Sequence, residues 1–282
     1  MKLSSYQLKL IAIVSMLIDH TAKIVFSSQT TLLLLFPGQL ALTYWIIQVM
    51  TWIGRIAFVL FAFMIAEGSL KTRNLPKYVL RLAVFALISQ PFYYLAFAGG
   101  GFEGLESIKL ALMFILKPNN IFVVLALGAL TIYVQQKLQA SGTKRLRWLI
   151  VPVFALTCFV ASFLRTGYDG WGVALIFGFY LAHDLKRKAV WALVWSAVFY
   201  GLYAVWNGVT FAWIPQHDVA VWRQVQQVLT GFAQFIAASL CVPLILSYSG
   251  QRGRRSKWFF YAFYPAHLLI LYVAAVNLTK VS

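Results

Sequence analysis

The sequence predicts an all-α fold: one polytopic transmembrane helix bundle of about nine spans, within a range of eight to eleven, its N-terminus cytoplasmic, forming a single domain over residues 1–282. Three observations predict it. Apolar residues make up 61% of the chain and charged residues only 11%, against roughly 45–50% and 25% in a soluble domain. Apolar runs near the roughly 20 residues that a helix needs to cross the hydrocarbon recur along the whole length. Lys and Arg gather in short clusters between alternate runs, the pattern of cytoplasmic loops in multi-pass proteins.

The first run, 6–26, follows Lys2 and has the look of a signal peptide, but no small-x-small cleavage site follows, and Asp19 and His20 interrupt its apolar core. It reads as a retained first span. The second run covers 42–66 and the third 78–98, the latter bent by Ser-Gln-Pro at 89–91. "IKLALMFILK", 108–117, is too short to span and reads as an interfacial or re-entrant piece. Pro118-Asn119-Asn120 opens the fourth span, 119–136, with Asn available to cap its free amides. The fifth covers 147–164. The sixth, 171–183, is short and is fed by the turn "GYDGWG" at 167–172. The seventh, eighth and ninth cover 189–206, 224–247 and 258–278.

Net charge is +17, which in a soluble protein would suggest nucleic acid or an acidic surface. The placement of the charges sets nucleic acid aside as a partner. With the N-terminus inside, 17 of the 24 Lys and Arg face the cytoplasm, among them Lys2, Lys9, Lys71, Arg73, Lys77, Arg81, Lys186 to Lys188, Arg252, Arg254 and Arg255. The opposite side keeps Lys109, Lys117, Arg165, Arg223 and Lys280. Cys158 and Cys241 lie within apolar runs, without C-x-x-C or Cys/His metal spacing, and read as packing residues; no metal is expected.

Ionisable groups at bilayer depth are costly, so each needs a partner or a purpose. Asp19 and His20 fall roughly 20 Å into the first span at 1.5 Å per residue, beyond its midplane. Successive helical residues point about 100° apart, so Asp19 does not orient His20 and the two need different partners. Asp19 has two available cations: Lys23, one turn on, and Arg55 near the centre of the second span, beside Gly54. Arg55 stays charged and needs an anion, either Asp19 or a substrate group. Glu67 and Lys71 form an i, i+4 pair or a functional acid at the cytoplasmic entrance. Tyr264 and His267 share one face in the last span, beside Pro265, which removes a backbone hydrogen bond. Arg81 is placed to meet phosphates or lipid headgroups. His183 and His217 lie in loops and are not site candidates. The 17% aromatic content fits interfacial belts and lipid-facing packing.

"LKLIAIVSMLIDHTAK", "IGRIAFVLFAFMIAEGSLKTRN", "YVLRLAVFALISQPF", "NNIFVVLALG" and "FYPAHLLIL" together resemble the TraX family. They follow one another in order across nearly the whole chain, most densely over 8–97. The namesake of that family is the membrane enzyme that acetylates the pilin N-terminus in bacterial conjugation. TraX-like proteins are similar to a wider set of transmembrane acyltransferases that take acetyl from cytoplasmic acetyl-CoA and use a membrane-embedded histidine. The resemblance implies a bacterial inner-membrane N- or O-acetyltransferase, with an envelope protein, glycan or lipid as acceptor.

Carried onto this chain, the resemblance makes His20 the catalytic histidine and Arg55 a donor or oxyanion contact; Asp19, as a charge partner for Arg55 or Lys23, completes the expected catalytic set. Arg55, Glu67, Lys71, Arg73, Arg81, Tyr264 and His267 form the expected acetyl-CoA-binding set. Acyl transfer needs a base or nucleophile and a donor for the developing oxyanion, and basic clusters suit the CoA phosphates. Before the sixth span the family order of acid, Tyr, Gly is replaced here by Gly167-Tyr168-Asp169. Intramembrane charges and proline-broken helices also suit a transporter or flippase, the alternative expectation.

Overall fold

The computed structural model describes residues 2–26, 36–98, 119–202, 219–254 and 256–281. The expected interfacial piece at 108–117, with Lys109, Lys117 and Pro118, lies outside the described residues, as do His217 and Arg255. The described chain is built of helices; among these residues β-pairing is confined to an isolated bridge between Leu3 and Tyr248. All nine apolar runs meet helix.

Helix α1, Ser5–His20, starts from a capping box in which the Ser4 hydroxyl accepts from the Gln7 amide and the Gln7 side chain accepts from the Ser4 amide, satisfying two free donors. It runs directly into a π-helical turn, Thr21–Val25. The long α2, Leu40–Lys71, is buried at nearly every position from Ala57 to Glu67. A helix buried on all sides is central, and α2 packs above all against α1.

Helix α3 is Leu75–Ala98 and continues through Pro91. Helix α4, Ile121–Ala140, is capped as expected: Asn120 Oδ1 accepts from the Phe122 amide at 3.1 Å. Its Nδ2 also donates to the Ala86 carbonyl and to Gln90 Oε1, so the Asn that starts α4 also pins α3. A short basic turn leads to α5, Ile150–Phe163, then α6, Asp169–Leu181, of 13 residues, the short sixth run. Helix α7, Leu185–Ser196, is capped by Asp184 and ends in a second π-helical turn, Ala197–Leu202. Helices α8, Val219–Ser239, α9, Cys241–Leu246, and α10, Lys257–Val281, complete the bundle.

Among the described residues, six stretches are long and apolar enough to cross a membrane: Leu40–Lys71, Leu75–Phe97, Ile121–Ala140, Lys144–Phe163, Val225–Leu246 and Trp258–Leu278. The remaining three runs are α1 with its π turn, the short α6, and α7 with its π turn. Large apolar side chains stand outward, such as Leu80 at 62%, Phe159 at 64% and Ile270 at 66% exposure. Apolar surface on this scale is lipid-facing, and the chain is a multi-pass membrane protein.

The N-terminus, the end of α2, the loop before α10 and the start of α7 meet at one end of the bundle. Leu3 and Ser249 bond along their backbones, and the Ser5 and Tyr6 amides donate to the Gln251 and Arg252 carbonyls. Lys71 Nζ donates to the Gly250 carbonyl at 2.7 Å and to Tyr248 Oη at 2.9 Å. Lys188 of α7 pairs with Glu67 of α2, both buried.

Candidate functional site

Among the described residues, three groups that include titratable side chains inside the bundle draw on α1 or α2. The first lines a cavity of about 320 Å³ that starts at the basic end. Lys9 of α1, Lys71 of α2, Arg81 of α3, and Arg252 and Arg254 of the loop before α10 supply its cations. Further along the helices, Met16, two turns beyond Lys9 on α1, makes it apolar together with Phe122 and Leu125 of α4, and Tyr264 of α10 also lines it. A cavity with a cationic mouth and an apolar shaft suits a ligand with a polyanionic head and an uncharged tail.

Two of the mouth cations are held by aromatic faces. Lys9 Nζ lies 5.4 Å from the Phe260 ring centroid and the Arg81 guanidinium 5.8 Å from that of Tyr78. Arg81 Nε is buried with no hydrogen-bond partner, so this cation keeps a donor for a ligand. Glu67 also lines the cavity, but its carboxylate is engaged by Lys188 and, at 3.2 Å, by Lys71. The expected i, i+4 pair therefore forms, within a three-residue cluster. Arg73 is exposed in the turn after α2 and does not line the cavity.

The second group lies just beyond Tyr264. His20 Nδ1 is 2.7 Å from His267 Nε2, and the two ring planes are only 10° apart. The Tyr264 ring packs edge-on to both, with centroids 6.3 Å from His20 and 5.5 Å from His267. Phe97 of α3 packs edge-on to His20 from another side, at 5.3 Å. His267 is 3% exposed. His20 is the last residue of α1 before its π turn; such turns widen a helix locally and concentrate at functional positions.

The third group occupies another face of α1. Asp19 Oδ2 accepts from Lys23 Nζ at 2.7 Å, and its Oδ1 lies 4.0 Å from Arg55 Nη2. Both expected cations thus share one carboxylate. The Arg55 guanidinium lies 5.7 Å from the Tyr200 ring centroid, in the second π turn. Its Nε is buried with no hydrogen-bond partner, and so is Asp19 Oδ1. Gly54, one residue before Arg55, meets the Asp19 side chain so closely that a Cβ there would overlap it.

Asp19 and His20 do take different partners, as helical geometry requires. The pairing of His20 with His267 is not visible in the sequence: the two are 247 positions apart, and local spacing groups His267 with Tyr264. The closest signal was the occurrence of one histidine in each of the two terminal spans. Lys9, Arg252 and Arg254 appeared only among the cytoplasmic basic residues, because their convergence depends on the chain ends meeting.

Residues 4–275 match the family described as TraX protein. This chain belongs to the TraX family. A similar protein is the probable fimbrial assembly protein FimC, serogroup H1, of Dichelobacter nodosus, 30% identical over 272 residues that cover 95% of this chain and 94% of that protein. No solved structure matches. The TraX match takes in all three polar groups, since it runs from the cap of α1 to beyond His267.

Proposed function

We propose that this TraX-family protein is a membrane acetyltransferase of the bacterial inner membrane that moves acetyl from cytoplasmic acetyl-CoA to an amine or hydroxyl of an envelope acceptor. The fimbrial name of its relative favours a pilus-related protein; a glycan or lipid acceptor suits the same chemistry. One observation carries the reading: the cavity leads from a cluster of cations along an apolar shaft to Tyr264, which contacts His20.

In this reading Lys9, Lys71, Arg81, Arg252 and Arg254 hold the CoA phosphates by charge-assisted hydrogen bonds. The uncharged arm follows Met16 and Phe122, bringing the thioester toward His20. His20 takes the acceptor proton as acceptor nitrogen or oxygen attacks the thioester carbonyl; the C–S bond breaks, and the CoA thiolate recovers the proton from His20. Arg55 of α2, facing Asp19 on a different side of α1 from His20, acts as a fixed charge that positions α1 through Asp19.

Titration calorimetry with acetyl-CoA on purified protein tests it. Saturable binding that Arg252→Ala plus Arg254→Ala weakens supports the reading. Absence of binding in the wild type would remove it and favour a transporter.

A further inference from the structure

We infer that His267 is a positioning residue for His20: it fixes the proton on His20 Nδ1 and leaves Nε2 as the ring nitrogen that meets substrate. The tautomer stands on geometry alone, while the role of Nε2 toward substrate and the kinetic consequence rest on the acetyl-transfer reading.

The assignment follows from the hydrogen-bond chain. His267 Nδ1 is 2.9 Å from the Phe263 carbonyl oxygen. A carbonyl only accepts, so His267 Nδ1 carries hydrogen. In a neutral imidazole the other nitrogen is then an acceptor, and the group facing His267 Nε2 is His20 Nδ1, at 2.7 Å. His20 Nδ1 therefore donates, and its lone pair is on Nε2.

Ring geometry agrees. The His20 and His267 planes are 10° apart, with centroids 5.0 Å apart. Rings in nearly parallel planes with nitrogens this close and centroids this far apart meet edge to edge, which aims the N–H along the partner's lone pair. His267 is itself held on both sides. Phe263 lies parallel to it at 11° and 4.9 Å between centroids, and Tyr264 packs edge-on. The anchor is thus a carbonyl and two rings of α10, all within one turn of His267.

The arrangement does for His20 what a buried carboxylate does in a Ser-His-Asp triad, with a neutral acceptor instead. When Nε2 takes the acceptor proton, the His20 Nδ1–H stays bonded to His267 Nε2, and the new positive charge is stabilised by that lone pair. When Nε2 returns the proton to the CoA thiolate, the original tautomer is restored.

The test uses full-length protein labelled with 15N-histidine in lipid nanodiscs. Among the four histidines, the signals of His20 and His267 are assigned by His20→Gln and His267→Gln, and nitrogen–hydrogen correlations show which ring nitrogens carry hydrogen. We expect Nδ1–H on both His20 and His267, and a change in the His20 pattern in His267→Ala. A His20 ring protonated on Nε2, or unaffected by His267→Ala, would overturn the inference. In parallel, His267→Ala is expected to lower kcat roughly 10- to 100-fold, the scale lost when an orienting partner is removed, with KM for acetyl-CoA unchanged, and His267→Gln, whose Oε1 accepts, to restore most of it. Equal loss in both variants, with KM and melting temperature moving together, would mean a structural role. Should the wild type transfer no acetyl, the acetyltransferase reading fails, while the nitrogen assignment still decides the tautomer.

Discussion

Gly54 of α2 lies directly against the Asp19 side chain of α1, with no room for a Cβ between them. This contact sets the distance between the two helices that pack most extensively on each other, and it places Arg55 beside the Asp19 carboxylate. Gly54→Ala forces α1 and α2 apart or shifts Asp19. Overpacking of this kind costs about 1–3 kcal/mol. The expected outcome is a lower melting temperature in detergent; an unchanged one would show that α1 yields without strain.

Glu67 and Lys188 form a buried ion pair between α2 and α7. Removing one partner from such a pair costs about 3–5 kcal/mol, while replacing both by apolar residues is often neutral. Lys188→Met would leave Glu67 paired with Lys71, whereas Glu67→Met leaves Lys188 buried without its carboxylate; Glu67→Met is therefore expected to be strongly destabilised, and Glu67→Met plus Lys188→Met to recover most of the loss. Lys71 keeps Tyr248 and Gly250 as partners in the double variant. Denaturation of the three proteins side by side checks it; a double variant no better than the single one would contradict it.

The mouth of the cavity makes a separate prediction. Arg252→Ala, Arg254→Ala and Lys9→Ala each remove a cation from its lining without touching the histidine pair. Each is expected to raise KM for acetyl-CoA roughly tenfold, equivalent to about 1.4 kcal/mol, with kcat little changed, as expected when binding is lost equally from ground and transition states. Added salt should narrow the gap between wild type and variant. Arg73→Ala is the control: exposed and outside the cavity, it should leave KM unaltered.

Tyr264 joins the cavity to the histidines. Tyr264→Ala removes the ring that packs against both, and so is expected to lower kcat more than it raises KM. Steady-state kinetics separate the two effects, and a change confined to KM would place Tyr264 in donor binding alone.

The bundle was legible because a helix in lipid must satisfy its own backbone and be apolar over most of its length, so each span declares itself locally. Asn120 as a cap was legible for the same reason. The polar residues were recognisable as anomalies, and the i, i+4 partners Asp19 with Lys23 and Glu67 with Lys71 followed from helix geometry. What stayed hidden were contacts between distant segments: His20 with His267, Glu67 with Lys188, and the loop at 247–254 folding onto Ser5 and Tyr6. No periodicity encodes which faces of two spans meet. The TraX resemblance supplied a role for His20 but not its partner.

In the proposed reaction His20 carries acetyl transfer. The most direct measurement incubates purified wild type and His20→Ala with labelled acetyl-CoA and envelope extract, then follows label into acceptor, with melting temperatures recorded for both. Transfer by the wild type is expected, with a loss of roughly 10²–10⁴-fold, the contribution of a general base, in a His20→Ala protein that still folds. Equal transfer by the two proteins would contradict it.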